Sequence, residues 1–250
     1  MIGIASFKEY FKGFEDQYVI IGGTACEILM SDNSLNFRAT KDIDMVLIIE
    51  TLTKEFCEIF WQYINDAGYE HISKATNKSE YYRFSNPKSP DYPKMIELFS
   101  RKQDWLLSSI KQNIIPIHID DEVSSLSAIL LDDTYYNFLT KGISKIHGIS
   151  ILNAEHIIPF KAKAWIDLTY RKEHGELIDS KDIKKHRNDI VRLSTLLSPN
   201  LNMTLPNKIK EDLSFFIQKL NEEEFNLKQM GINHISKEEL IQFLNQFYNL

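Results

Sequence analysis

The sequence predicts an α+β fold, a mixed sheet with flanking helices, followed by a C-terminal helical domain. Short apolar runs of strand length alternate with helical patterns in the first 150 residues, which is the order expected of an α+β sheet. Beyond residue 153, apolar residues recur at helical spacing only. We therefore expect a sheet domain at residues 1–150 and a helical domain at residues 151–250.

The elements of the first domain follow from its apolar patterns. A short amphipathic helix at residues 5–14 leads into the apolar strand Tyr18–Ile21, which stops at Gly22-Gly23. Helices are then predicted at residues 24–30 and 53–67, and Gly68 ends the second of them. Further strand-like segments lie at 69–72, 81–84 and 95–99, and weaker signals lie at 104–119, 126–131 and 146–152.

The helices of the second domain are bounded by capping residues and helix breakers. Asn153 is a candidate cap for the first of them, and Ser236 with Glu239 forms a capping-box pattern before the last. The predicted helices are 153–174, 181–197, 212–225 and 236–250.

The composition is that of an ordinary globular protein, with 43% hydrophobic and 26% charged residues among 250. No run is apolar enough to span a bilayer, and the N-terminus lacks a secretory signal pattern. Cys26 and Cys57 have no metal-ligand spacing and predict free thiols in a reducing cytoplasm. The net charge of −6 argues against a protein that coats nucleic acid, although a local basic groove stays open.

Two aspartates at the start of a strand are the clearest candidate site. Asp42, Ile43 and Asp44 open an apolar run, and residues i and i+2 of a strand project to the same side. Two neighbouring carboxylates repel each other at neutral pH, and hard divalent cations take oxygen ligands. The pair therefore predicts a Mg²⁺ site. The Gly22-Gly23 turn before a helix would let backbone N–H groups approach a phosphate.

These motifs resemble the nucleotidyltransferase superfamily, in which an apolar strand, a Gly-Gly turn and a helix precede Asp-x-Asp on the next strand. The segments Gly22-Gly23-Thr24-Ala25 and Arg38-Ala39-Thr40-Lys41-Asp42-Ile43-Asp44 are most similar to the AbiEii/AbiGii branch. That branch is the enzyme component of bacterial abortive-infection and toxin–antitoxin systems. The gap between Gly23 and Asp42 is longer than in minimal members of the superfamily.

The resemblance implies a third carboxylate on a later strand. Glu97 suits that place, because it is the one acid in the apolar strand 95–99 and burying it without a partner is costly. The alternatives are a glutamate on an edge strand facing solvent, or an ion pair with Arg83 or Arg101. The resemblance implies that Asp42, Asp44 and Glu97 hold Mg²⁺ or Mn²⁺ and are the catalytic residues.

The resemblance also implies a nucleotide site. Gly22, Gly23 and Thr24 would cradle the triphosphate, and Arg38 and Thr40 would orient the loop or contact the phosphates. Metal ions would clamp the triphosphate and the acceptor hydroxyl.

The helical half carries a weaker resemblance. From Lys161 to Arg187 there are eight Lys or Arg against five Asp or Glu, a local basic excess in an acidic protein. The resemblance implies that Lys161 neutralises phosphate charge and that a second motif lies on the next helix. The family's usual form of that motif is not present as such, and Lys181-Asp182 and Asn188-Asp189 compete for its place. We also expect the helical domain to close the cleft. Lys163 competes with Lys161, since it points to another helix face. A solvated charged face is the alternative.

The sequence therefore predicts a cytoplasmic, metal-dependent nucleotidyltransferase that moves a nucleoside monophosphate from a nucleoside triphosphate to an acceptor hydroxyl. For some members of the family the acceptor is a transfer RNA end or a protein and an antitoxin is the partner, and the sequence alone does not name the acceptor. The lack of a long apolar run predicts no membrane partner. Two alternatives stay open. One is a non-catalytic nucleotide- or partner-binding module on the same fold, and the other is a small-molecule, antibiotic-type nucleotidyltransferase. No role is assigned to His118, His147 or His156.

Overall fold

The structure is a computed structural model that describes residues 3–70, 83–100 and 132–250. These residues form two compact units. The first unit comprises the described residues up to Ser100 together with Ile143–Leu152, and the second comprises residues 132–142 and Asn153–Leu250. The segments predicted at 104–119 and 126–131, and parts of those at 69–72 and 81–84, lie outside the described residues.

The first unit is built on a mixed sheet, as the sequence predicts. Its described strands are β1 (Tyr18–Ile21), β2 (Asp42–Leu47), β3 (Arg83–Ser85), β4 (Met95–Phe99), β5 (Ile143–Ile146) and β6 (Ile149–Leu152). They lie in the order β3-β4-β2-β1-β6-β5. Strand β2 is antiparallel to β1 and parallel to β4, so the strand with the aspartate pair lies inside the sheet. The helices of this unit are α1 (Ile4–Tyr10), α2 (Gly22–Asp32) and α3 (Lys54–Ala67).

An aromatic cluster fixes the start of β1. The side chains of Phe7, Phe11, Tyr18, Phe56 and Tyr63 are each at most 1% exposed, and their rings pack at centroid distances from 4.5 to 6.4 Å. Burial of one such side chain contributes about 1.5–3 kcal/mol. The cluster therefore anchors α1 and α3 beside the strand that leads into the Gly-Gly turn.

The second unit is helical, as predicted. Its described helices are α4 (Asp133–Lys141), α5 (Ala154–Glu173), α6 (Ser180–Leu193), α7 (Asn207–Glu222) and α8 (Lys237–Phe247), with short 3₁₀ turns at Ser194–Leu196 and Lys228–Met230. Asp132, Asn153 and Asp179 cap three of these helices by accepting backbone N–H groups. The predicted capping box of Ser236 and Glu239 is confirmed at the start of α8.

A hydrogen bond from the end of the chain compensates for a proline inside α5. Pro159 lies inside α5 and has no N–H, so the carbonyl of Glu155, four residues earlier, lacks its helical donor. The hydroxyl of the fully buried Tyr248 donates to that carbonyl at 2.9 Å. This hydrogen bond ties the C-terminal end of the chain to the first turn of α5.

Over the described parts of the chain, no helix is long and apolar enough to cross a membrane.

Candidate active site

The aspartate pair of β2 lies on one face of the sheet. Ile43 is fully buried, whereas Asp42 is exposed and Asp44 is half-buried. This alternation follows from the strand repeat of two residues, and it is the geometry that the sequence predicts for this segment. The apolar remainder of β2 is buried, so the strand is held in register and its two carboxylates are fixed on the same side.

Asp44 lies directly against the Gly-Gly turn. Ile21 and Asp44 are paired in the antiparallel register of β1 and β2, and Gly22 begins α2 with a φ of +69°. A Cβ atom at position 22 would lie 1.8 Å from Asp44 Oδ2. Position 22 therefore requires glycine for two reasons. Its backbone is left-handed, and the carboxylate of Asp44 occupies the space that a side chain would need.

A hydrogen-bonded network joins α2 to the loop that precedes β2. Thr24 Oγ1 donates to the carbonyl of Asp42 at 2.5 Å and lies 3.2 Å from Thr40 Oγ1. The backbone N–H of Thr40 donates to Glu27 Oε2 at 2.7 Å, and the Thr40 hydroxyl donates to the same oxygen. Thr24 and Thr40 therefore hold the backbone of the aspartate pair. Both are buried.

Glu27 is a site residue that sequence reasoning missed. It lies one helical turn after Gly23, so it faces the same side of α2. Its bonds to Thr40 are made across 13 residues of chain. The available signal was an acidic residue at helical spacing from the Gly-Gly turn, but only the tertiary contact shows what it binds.

Arg38 brings a cation to the same turn. Its Nη2 atom lies 2.9 Å from the position that a Cβ atom at Gly23 would take, and its guanidinium lies 5.3 Å from the ring centre of Phe37. Gly22, Gly23 and Arg38 thus meet at the N-terminal end of α2. The positive end of the helix dipole favours anions at such a place.

Glu97 lies beside Asp44 and is paired with Arg83. Asp44 and Glu97 are register partners in the parallel pair of β2 and β4. Across the other edge of β4, Arg83 Nε and Nη2 donate to Glu97 Oε1 at 2.8 and 2.7 Å. The side chain of Glu97 is 17% exposed. The structure therefore combines the predicted placement beside the aspartates with the alternative of an arginine ion pair.

The donor atoms of Asp42 and Asp44 suit a hard cation such as Mg²⁺ by type and by their shared face. Within residues 3–70, 83–100 and 132–250, however, no three His, Cys, Asp or Glu side chains group closely enough to hold a metal ion. The role of Glu97 as a third ligand stays a prediction, and its Oε1 atom is paired with Arg83.

Lys161 lies inside the helical unit. Its side chain is 5% exposed, and its Nζ donates to Oδ2 of the 1%-exposed Asp189 at 2.8 Å. Lys163 instead pairs with Asp212 at 2.8 Å, and Tyr135 donates to the same carboxylate at 2.9 Å. The structure therefore pairs Lys161 with Asp189, which belongs to one of the two candidates for the second motif. The phosphate role of Lys161 stays a prediction.

The basic segment of α6 is mostly a surface feature. Lys181, Lys184 and Lys185 are exposed. Arg187 is 8% exposed, and its Nη1 pairs with Glu223 at 2.6 Å. Three of these four cations therefore remain accessible, and the fourth supports the packing of the helical unit.

No model of a known protein family matches the chain, and no curated protein matches it significantly. Among solved structures, the antibiotic-resistance factor ANT(2'')-Ia is similar with a TM-score of 0.39 and 11% identity, over 88% of this chain and 91% of that one. The Megavirus polyadenylate synthase is similar with a TM-score of 0.31 and 11% identity, over 98% of this chain and 47% of that one. This chain thus aligns with about half the length of the viral protein. At such scores neither overlap carries an argument about activity.

Proposed function

We propose that this chain is a metal-dependent nucleotidyltransferase, which moves a nucleoside monophosphate from a nucleoside triphosphate to the hydroxyl of an acceptor. One observation carries the proposal. The carboxylate of Asp44 lies against Gly22 where α2 begins, and Asp42 projects from the same face. A glycine turn, a helix N-terminus and two carboxylates at one place suit a metal-bound triphosphate.

The residues of this place divide into ligands and supports. Asp42 and Asp44 would hold Mg²⁺ or Mn²⁺, which when bound neutralises phosphate charge and activates the acceptor hydroxyl. Backbone N–H groups at Gly22 and Gly23 would receive the triphosphate, and Arg38 would add positive charge beside it. Transfer of this kind needs positioning and charge neutralisation more than covalent chemistry.

Glu97 would complete the carboxylate set only if its pair with Arg83 opened. The register that places it beside Asp44 supports this role, and the two short contacts to Arg83 oppose it. Replacing Arg83 by Met would release Glu97. If Glu97 is a third ligand, that variant should bind Mn²⁺ more tightly than the wild type, as measured by electron paramagnetic resonance.

The finer proposal is a toxin of the AbiEii type, with a transfer RNA end or a protein as acceptor and an antitoxin as regulator. Its support is the Arg38–Asp44 motif together with the exposed bases Lys181, Lys184 and Lys185. Incubation with labelled triphosphates, Mg²⁺, and cellular RNA and protein would show which fraction takes the label. Label on small molecules alone would end the toxin proposal and favour an antibiotic-type transferase.

The activity itself is tested by Asp44→Asn, with Asp16→Asn as control, because Asp16 is an exposed aspartate of the same unit. Asp44→Asn should lower triphosphate turnover by orders of magnitude and leave the unit folded, since it removes one of two neighbouring negative charges. Asp16→Asn should behave as wild type. Unchanged turnover in Asp44→Asn would end the catalytic proposal.

The Arg83–Glu97 ion pair favours one second candidate, a non-catalytic module that holds a nucleotide or a partner on the same scaffold. Such a module needs the glycine turn but no third carboxylate. Saturable triphosphate binding without any transferred label, unaltered in Arg83→Met, would support it over the enzyme.

A further inference from the structure

Glu27 on α2 is bound to the loop that carries Arg38 and leads into β2. Its Oε2 atom accepts the backbone N–H of Thr40 at 2.7 Å, and the hydroxyl of Thr40 donates to the same oxygen. Glu27 is half-buried, and Thr40 is 7% exposed. Hydrogen bonds to a charged acceptor are stronger than those between neutral groups. Two donors of one residue on one carboxylate oxygen therefore fix the loop to the helix at Thr40.

The loop runs along one face of α2. A Cβ atom at Gly23 would lie 2.9 Å from Arg38 Nη2 and 3.0 Å from Thr40 Cγ2. Glu27 follows Gly23 by four residues, so both lie on the same face of the helix. The contact between helix and loop therefore extends from the Gly-Gly turn to Glu27, one helical turn further on. Glu27 is the ionic end of that contact.

Thr40 lies midway between two groups of the candidate active site. Arg38 precedes it by two residues, and Asp42 follows it by two. In an extended chain such residues project to the same side. Thr40 is buried while Ala39 and Lys41 are exposed, which agrees with that alternation. A loop fixed at Thr40 is therefore fixed close to the guanidinium on one side and to the carboxylate on the other.

A second hydroxyl continues the network to the aspartate strand. Thr24 Oγ1 donates to the carbonyl of Asp42 at 2.5 Å and lies 3.2 Å from Thr40 Oγ1. A hydroxyl has one hydrogen and two acceptor lone pairs. The hydrogen of Thr40 is directed to Glu27, so its oxygen faces Thr24 as an acceptor. This arrangement favours loop orientation over phosphate contact as the role of Thr40.

We propose that Glu27 is a positioning residue for the metal and phosphate site. It acts through Thr40, which keeps Arg38 at the Gly-Gly turn and Asp42 on the same face as Asp44. Groups that orient metal ligands from outside typically change metal affinity by about 10–100-fold when they are removed. This role rests on the proposed transferase function, whereas the contact between Glu27 and Thr40 belongs to the metal-free protein and is measured separately.

The hydrogen-bond geometry indicates which substitutions separate positioning from charge. Both donors of Thr40 reach the same oxygen of Glu27, and the amide oxygen of a glutamine has two lone pairs for them. Glu27→Gln therefore removes the charge and keeps the contact. Glu27→Met keeps the length of the side chain but leaves only a weak sulfur acceptor. The control is Glu9→Met, which makes the same change at an exposed glutamate of α1.

The first measurement is the affinity of the full chain for Mn²⁺, followed by electron paramagnetic resonance at a temperature where urea unfolding shows every variant to be folded. Glu27→Met should weaken Mn²⁺ binding about tenfold. Glu27→Gln should stay within about twofold of wild type, because an amide oxygen still holds Thr40. Glu9→Met should change nothing. A merely stabilising role would lower the unfolding midpoint but leave the Mn²⁺ affinity of the folded protein unchanged.

A double-mutant cycle tests whether Glu27 acts through Thr40. Thr40→Val removes the hydroxyl and keeps the backbone N–H, so by itself it should weaken Mn²⁺ binding about threefold, the effect of one lost hydrogen bond. In the Glu27→Met background the same change should cost nothing more, because the acceptor is already absent. Losses that add fully in the double variant would mean that the two residues act independently, and would refute the proposed route.

Hydrogen exchange of the metal-free protein reports the loop contact by itself. Peptides that cover residues 36–44 should exchange faster in Glu27→Met than in wild type, and Glu27→Gln should restore their protection. Unchanged exchange in Glu27→Met would refute the contact.

The outcomes distinguish this proposal from the proposed function. Wild-type Mn²⁺ binding that Glu27→Met leaves intact would refute the positioning role alone, and equal losses in Glu27→Gln and Glu27→Met would replace positioning by charge. A wild type that binds no Mn²⁺, with or without triphosphate, would end the metal-dependent function and the positioning role with it. If both proposals hold, excess Mn²⁺ should restore transfer in Glu27→Met, which retains both aspartates, but not in Asp44→Asn.

Discussion

Replacing Gly22 by Ala should destabilise the first unit and displace Asp44. A residue with a side chain in the left-handed region, where Gly22 has a φ of +69°, costs about 1–2 kcal/mol. The smaller entropy of an unfolded chain with alanine returns about 0.4–1 kcal/mol. The new Cβ would lie 1.8 Å from Asp44 Oδ2 and 2.8 Å from its Cγ, so the carboxylate has to leave. We expect a net loss of about 1–3 kcal/mol, in the range of disruptive single substitutions.

The neighbouring glycine supplies the matched control. A Cβ at Gly23 would meet Arg38 Nη2 at 2.9 Å and Thr40 Cγ2 at 3.0 Å, and the arginine end is flexible. Alanine is also better than glycine inside a helix by about 1 kcal/mol. These effects nearly cancel, so Gly23→Ala should change the free energy of unfolding little. The measurement is urea unfolding followed by tryptophan fluorescence, with a comparison of midpoint and slope.

A double-mutant cycle separates the cost of the left-handed backbone at position 22 from the cost of the clash with Asp44. In an Asp44→Ala background the carboxylate is absent, so Gly22→Ala should cost only the backbone strain, about 1 kcal/mol. The difference between the two backgrounds measures the contact itself. Equal costs in both backgrounds, or a Gly22→Ala variant with wild-type stability and turnover, would refute the contact between Asp44 and the turn.

Three further perturbations test other parts of the structure. Lys161→Met should cost about 3–5 kcal/mol, because it breaks a buried ion pair, and adding Asp189→Leu should restore much of that stability. Burial lowers the pKa of His156 to about 4, so the protein should lose up to about 3 kcal/mol of stability as the pH falls from about 6.5 to 4, and His156→Phe should flatten this loss. On the proposal of an RNA acceptor, Lys184→Ala with Lys185→Ala should weaken RNA binding and reduce its salt dependence.

The histidine and the lysine pair each have a control at exposed positions, and the Lys161 variant has an outcome that would contradict its prediction. For the histidine, the unfolded chain takes up a proton below about pH 6.5 while the folded chain does not; His234→Asn, at an exposed site, should keep the same pH profile as the wild type. For the lysine pair, the control is Lys8→Ala with Lys12→Ala, which removes the same charge at exposed positions. This control should leave RNA binding and its salt dependence unchanged. A Lys161→Met variant that loses turnover but no stability would contradict the stability prediction and support the phosphate role.

The sequence predicts the site best where its elements are adjacent in the chain. The strand Tyr18–Ile21, the glycine turn and the aspartate strand follow one another within 30 residues, and each has a local pattern. Helix α4 was missed, because Asp133–Lys141 carries residues of moderate helix propensity. Its burial of Tyr135, Tyr136, Phe138 and Leu139 becomes evident only in the tertiary structure.

The count of basic residues in the sequence does not predict which of them form buried ion pairs. The sequence offers eight bases between residues 161 and 187, and it cannot say which of them have partners inside the protein. Lys161 and Arg187 both have such partners, in Asp189 and Glu223. Loss of one member of a buried ion pair destabilises the protein whether or not either residue binds a ligand.

The last fifty residues show no motif, yet the structure gives them a definite contact. Pro159 leaves the carbonyl of Glu155 without its helical donor, and Tyr248 supplies one at 2.9 Å while its ring is fully buried. A partly buried carbonyl without a donor is costly, so the hydroxyl of Tyr248 offsets the donor that Pro159 removes. They lie 93 residues apart in the chain, which is why neither residue carries a recognisable pattern in the sequence alone. The C-terminal helix is therefore an integral part of the helical unit, because it completes the hydrogen bonding of the helix that carries Lys161 and Trp165.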